Sequence, residues 1–134
     1  MIRIPAILFQ LGYSLMLIGV GVAGIFYAPW ELISIFKLDA NWLQSSEAVT
    51  FLNQYRFLKA VEVGFGLFCL FYRREILDGG ISSVLFLSGC MLGIFARSWS
   101  WYYDGRPSDM LITFLVLESI TFVLVWAYAR RKER

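Results

Sequence analysis

The chain contains no histidine, which removes the commonest general base and the commonest ligand for transition metals. Its two cysteines, Cys69 and Cys90, stand alone inside apolar runs, without the paired spacing of a zinc or redox site. They are expected to be packing residues. No phosphate loop or nucleophile motif occurs, so neither metal nor cofactor is expected. Charge is also scarce. Only 16% of the 134 residues are charged and 59% are hydrophobic, and a soluble domain of this length would need far more polar surface to cover its core. The net charge of +2 is not gathered on any basic face, which argues against nucleic acid as a partner.

Four apolar stretches are present instead, at 6–28, 53–72, 81–98 and 110–129. Each approaches or reaches the roughly 20 residues a helix needs to cross the hydrocarbon layer. Residues 1–134 are therefore expected to form one all-α integral membrane domain, a four-helix bundle. Arg3 precedes the first stretch as it would in a signal peptide, but the apolar part is too long and no A-x-A-like site closes it. The stretch is read as a retained span.

Basic residues set the expected orientation. Arg3, Arg73, Arg74, Arg130, Arg131, Lys132 and Arg134 fall on one side of a four-span chain. The other side carries Lys37 and Arg106 against Glu31, Asp39, Glu47, Asp104 and Asp109. Lysine and arginine favour the cytoplasmic face, so both termini are expected inside, in a bacterial cytoplasmic membrane. Trp30, Trp42, Trp99 and Trp101 then lie at the outer interface, where amphipathic rings collect. In the first outer loop Trp30, Ile33 and Phe36 recur at helical spacing with Glu31, Ser34 and Lys37 between them. That pattern predicts a short interfacial helix. The turn at 73–80 is read as a tight connection ending in Asp78-Gly79-Gly80.

The most informative residue is Glu118, a carboxylate in the middle of an otherwise uncharged span. A charge at that depth costs roughly 2.5–3.5 kcal/mol even on lenient insertion scales, which makes the residue a functional candidate. Counted at about 1.5 Å per residue, Glu62 and Glu118 both fall about 13 Å from the outer end of their spans. Arg56, Lys59 and Arg97 supply cations in the same outer half, and Asp104 follows Arg97 in the next loop. Tyr55, Lys59, Glu62, Gly66 and Cys69 share one stripe of the second span. Arg97 extends the Gly89–Gly93 face of the third, a small-residue spacing that lets a neighbouring backbone come close. The expected site is a polar cluster of Arg56, Lys59, Glu62, Arg97, Asp104 and Glu118 opening to the outer surface.

Asn53-Gln54-Tyr55-Arg56, then Glu62-Val63-Gly64-Phe65-Gly66, then Ala96-Arg97 and Asp104-Gly105-Arg106-Pro107, followed by a span with a central glutamate, form a recognisable series. The chain resembles a family of small four-pass bacterial membrane proteins known as a domain of unknown function, and more loosely the DoxX-like four-helix proteins. The resemblance implies that Arg56, Arg97, Asp104, Gly105, Pro107 and Glu118 occupy the family's marked positions, with Lys59 standing where a small residue is expected. It implies a fold and a topology but no activity.

Three functions fit these residues. The first is a binding protein that holds a lipid or other amphipathic molecule, its head on the polar cluster and its tail among apolar side chains. The second is a metal-independent isomerase or hydratase on such a substrate, with Glu62 and Glu118 as acid and base. The third is an accessory subunit of a larger membrane complex that packs through the Gly89–Gly93 spacing and the glycines of the first span, Gly12, Gly19 and Gly24, and a homo-oligomer is a further expected partner. Membrane lipids are the common partner in all three.

Overall fold

In the computed structural model the described residues are 2–132, and no strand occurs among them. The elements in chain order are α1 (Arg3–Phe26), α2 (Ala28–Ser34), a 3₁₀ turn (Trp42–Gln44), α3 (Ser46–Phe71), α4 (Arg73–Asp78), α5 (Ile81–Asp104) and α6 (Asp109–Lys132). Three segments, Arg3–Phe26, Ile81–Asp104 and Asp109–Arg131, are long and apolar enough to cross a membrane. α3 is long enough but is not among them, because Arg56, Lys59 and Glu62 interrupt its apolar run.

Local chemistry moves several boundaries from where hydropathy alone sets them. α3 begins at Ser46, well before the apolar stretch at 53, because the Ser45 hydroxyl accepts the Ala48 N–H and caps the new helix. α5 runs past 98 to Asp104. There Phe95, Trp99 and Tyr103 recur every fourth residue with ring centroids 5.9 and 4.6 Å apart, so the aromatic ladder supports the added turns. α2 follows directly on α1, with Pro29 in its first turn, where the missing N–H costs nothing. The 73–80 segment is a helix, α4, rather than a bare turn. Gly79 ends it at φ 88°, a left-handed conformation that a residue with a Cβ enters only at a cost. Pro107 lies in the loop two residues before α6, and the Ser108 hydroxyl is buried without a hydrogen-bond partner among the described residues.

The chain divides into two compact units. One comprises Met1–Ser14 and Phe68–Arg134, the other Leu15–Leu67. In the first unit α4, α5 and α6 pack pairwise. Its core mixes Ala6, Phe86, Cys90 and Val125 with the polar residues Gln10, Tyr13, Ser14, Glu118 and Thr121. Gln10 Nε2 donates to the Cys69 carbonyl at 2.6 Å, satisfying one of the carbonyls left open in the last turn of α3. In the second unit α1 and α3 come close through glycines. A Cβ on Gly21 would meet the Lys59 carbonyl at 3.0 Å, and one on Gly66 would meet the Ile18 nitrogen at 3.1 Å. Arg56 Nε donates to the Ile25 carbonyl at 3.2 Å in the last turn of α1, where a cation also suits the helix dipole.

Many large apolar side chains face outward, including Ile4, Leu8, Phe57, Leu58, Leu85, Leu92 and Val123, while carboxylates, hydroxyls and amides lie inside. A surface this apolar is unfavourable in water and ordinary in lipid. Inside, each polar group needs a partner, and these partners make up the sites described next.

Candidate functional site

Glu118 of α6 is buried, at 6% exposure, in the first unit. The Tyr13 hydroxyl donates to its Oε1 at 2.8 Å, and Arg97 Nε lies 3.5 Å from its Oε2. Three helices therefore converge on one carboxylate. α1 contributes Tyr13, whose ring sits edge-on to Phe86 at 6.2 Å. α5 contributes Arg97 and, one turn earlier, Gly93. A Cβ on Gly93 would stand 2.6 Å from Glu118 Oε1, so the small-residue face of α5 makes room for the carboxylate as well as for a helix.

Arg97 is only partly occupied by this pair. Its side chain is 40% exposed, and its approach to Glu118 is through Nε at 3.5 Å. The same side chain lines a groove of about 290 Å³ between α5 and α6, walled by Ala96, Ser100, Pro107, Leu111 and Leu115. The groove thus has a guanidinium and otherwise largely apolar walls.

Lys59 anchors a second cluster, in the unit Leu15–Leu67. Its Nζ lies 3.0 Å from Glu62 Oε2 and 3.4 Å from Glu31 Oε1, and 5.4 Å from the centre of the Tyr55 ring. Lys59 and Glu31 are both buried, at 8% and 4% exposure. Glu31 Oε2 and the Tyr55 hydroxyl are enclosed without a hydrogen-bond partner of good geometry. A Cβ on Gly24 would come within 2.6 Å of the Lys59 stem and 2.7 Å of Glu31 Oε2, so this glycine leaves space for the ion pair.

Of the six residues expected in one cluster, Glu118 and Arg97 meet in the first unit, and Lys59 and Glu62 meet in the second. Arg56 is taken up by the end of α1. Asp104 does not reach Arg97 or Arg106. It accepts a hydrogen bond from Ser100 at 2.8 Å within α5, while Arg106 pairs with Asp109 at 2.8 Å. The α5 helix continues to Asp104 and holds that carboxylate on its own last turn.

Three residues with central contacts were not among those expected. Gln10 and Tyr13 sit three apart on α1, a polar pair inside an apolar span, and that spacing is the signal that could have marked them. Glu31 carried no such signal. Its place among loop acids suggested a solvent-facing side chain, whereas α2 buries Glu31 and Leu32 and turns Trp30 and Ile33 outward.

An all-helical chain with several apolar helices of membrane length, and with charged groups buried among them, is a multi-pass integral membrane protein. The family described as Domain of unknown function (DUF4345) matches residues 7–129, nearly the whole chain, and the protein belongs to that family. No curated protein and no solved structure matches it.

Proposed function

We propose that the protein crosses the cytoplasmic membrane four times and binds an amphipathic molecule with an anionic head. α3 serves as the fourth span, its charges paired through Lys59, Glu31 and Glu62 so that they can be carried into lipid. Both termini face the cytoplasm, a reading supported by the excess of arginine on their side. The binding site is the groove between α5 and α6, with the anionic head on Arg97 and the tail along Leu111 and Leu115.

The observation that carries this reading is the partly exposed guanidinium in the lining of the groove. Arginine binds carboxylates and phosphates best through two parallel N–H donors at short range, and Arg97 meets Glu118 through Nε at 3.5 Å. The Arg97 side chain lines a groove whose other walls suit a hydrocarbon chain. Glu118, held by Tyr13, fixes the arginine in place and cancels its charge when the groove is empty. The reading is tested by native mass spectrometry of protein extracted in mild detergent. Wild-type protein should carry an amphipathic adduct that is depleted in Arg97→Gln. Equal adduct content in a folded Arg97→Gln protein would remove the groove from the account.

A further inference from the structure

A second cavity lies in the first unit, away from the Glu118 cluster in sequence and lined by different residues. It measures about 460 Å³. Arg3 from the start of α1 and Arg73 and Arg74 from the start of α4 line it, together with Tyr128 from the last turns of α6. Ile7 and Leu77 form an apolar part of the wall, and Asp78 supplies the single negative charge of the lining. Three guanidiniums against one carboxylate leave a net charge of two positive around a concave space. None of the three arginines forms an ion pair among the described residues.

Like charges gathered on one cavity repel one another, so a bound anion would relieve a cost the protein otherwise carries. Arginine suits phosphate in particular, because its planar fork matches two phosphate oxygens at once. The Tyr128 hydroxyl adds a neutral donor. The volume lies within the range of ordinary small-molecule sites. Beside the arginines, Ile7 and Leu77 offer contact for carbon next to the phosphate. The arginines stand at the end of the chain's helices where both terminal segments lie, which the proposed orientation puts at the cytoplasmic leaflet, where anionic lipids attract basic clusters.

The geometry points to a phosphate-binding site at Arg3, Arg73, Arg74 and Tyr128, which takes the phosphate of an anionic phospholipid headgroup or of a soluble phosphate ester. The guanidiniums grip the phosphate oxygens, and Ile7 and Leu77 receive the glycerol or other carbon that the phosphate carries. This site is independent of the Arg97 groove and uses none of its residues.

The test compares purified protein in nanodiscs of phosphatidylcholine alone with nanodiscs containing phosphatidylglycerol or cardiolipin, reading lipid retention by native mass spectrometry and the midpoint of thermal unfolding. A parallel arm adds inorganic phosphate to protein in detergent, against chloride at equal ionic strength. Affinity for the anionic lipid should fall about fivefold for each arginine removed, and the upward shift with phosphate should shrink in step, so Arg73→Gln/Arg74→Gln loses far more than Arg3→Gln. A gain with anionic lipid alone assigns the site to a headgroup, and an equal gain with inorganic phosphate assigns it to a soluble ester. Arg73→Lys/Arg74→Lys keeps the charge but loses the forked grip, and should retain only part of the effect. If the double glutamine variant does not fold, Arg3→Gln and the lysine pair carry the same comparison. Full retention in the lysine pair, or no response to anionic lipid and to phosphate in the wild type, would overturn the site.

Discussion

Gly93 and Glu118 face each other across α5 and α6 so closely that a methyl group on Gly93 would stand 2.6 Å from the Glu118 carboxylate. The closeness allows one buried charge to be reached from three helices at once, by Tyr13 of α1 at 2.8 Å and by Arg97 of α5 at 3.5 Å. A larger residue at 93 must push the carboxylate off these partners or part the helices.

Gly93→Ala is therefore expected to destabilise the protein by about 1–3 kcal/mol, the usual cost of overfilling a packed site. Gly12→Ala is the control, since an added Cβ there meets nothing within 4 Å. Unfolding in mixed micelles should separate the two variants. Equal stability would mean that Glu118 moves freely and is not held by its partners.

Tyr13→Phe removes the hydroxyl by which α1 donates to Glu118. A hydrogen bond to a charged acceptor contributes about 1.5–3 kcal/mol, so a loss of that order is expected. In a double-mutant cycle with Glu118→Gln the two changes should couple by about 0.5–3 kcal/mol, because they share one contact. Simple additivity would contradict the hydrogen bond.

Lys59→Met leaves the buried Glu31 carboxylate without a cation. Breaking a buried pair from one side costs about 3–5 kcal/mol, whereas removing both charges is far less costly. Lys59→Met/Glu31→Gln should accordingly recover much of the stability lost in Lys59→Met. No recovery would show that Lys59 is held by Glu62 alone.

Cys69 and Cys90 are both fully buried and free. A membrane-permeant maleimide should leave them unlabelled in the folded protein and label both after denaturation. Rapid labelling of either thiol in the native state would contradict the core of the first unit.

Glu47, in the first turn of α3, is exposed, and its carboxyl is held below the ordinary glutamate range by its own backbone N–H and by the hydroxyls of Ser45 and Ser46. Because the folded value is the lower one, its contribution to stability is present above the ordinary glutamate range and fades as pH falls through the folded value. A carbon-detected titration should give a midpoint below that of a model peptide. An unshifted midpoint would mean that the cap does not form.

The apolar runs alone were enough to locate the four long helices, because the requirement that lipid-facing backbone be bonded within its own segment leaves little else for such stretches to form. Their ends were less legible. Ser45 and the aromatic ladder of α5 extend helices past the apolar stretches, through interactions that hydropathy does not weigh. Glu118 stood out because nothing around it in sequence is charged, and the Gly89–Gly93 spacing pointed to the face that receives it. Tyr13 did not stand out, since a tyrosine in an apolar helix reads as packing. Glu31 was hidden by its loop position, and its burial follows from α2 continuing directly after α1, with Gly24 making room. Asp104 was misplaced for a related reason: a residue assigned to a loop can reach many partners, but on the last turn of α5 it reaches Ser100.

The central claim is that the groove beside Arg97 holds the tail of an amphipathic molecule whose head rests on that guanidinium. Replacing Leu111, in the groove wall, with a photoreactive amino acid and irradiating intact cells tests it most directly, with the adduct read by mass spectrometry of the purified chain. The account predicts a discrete lipid-like adduct that is lost when Arg97→Gln is added. No adduct at Leu111, or the same adduct with and without Arg97, would contradict it.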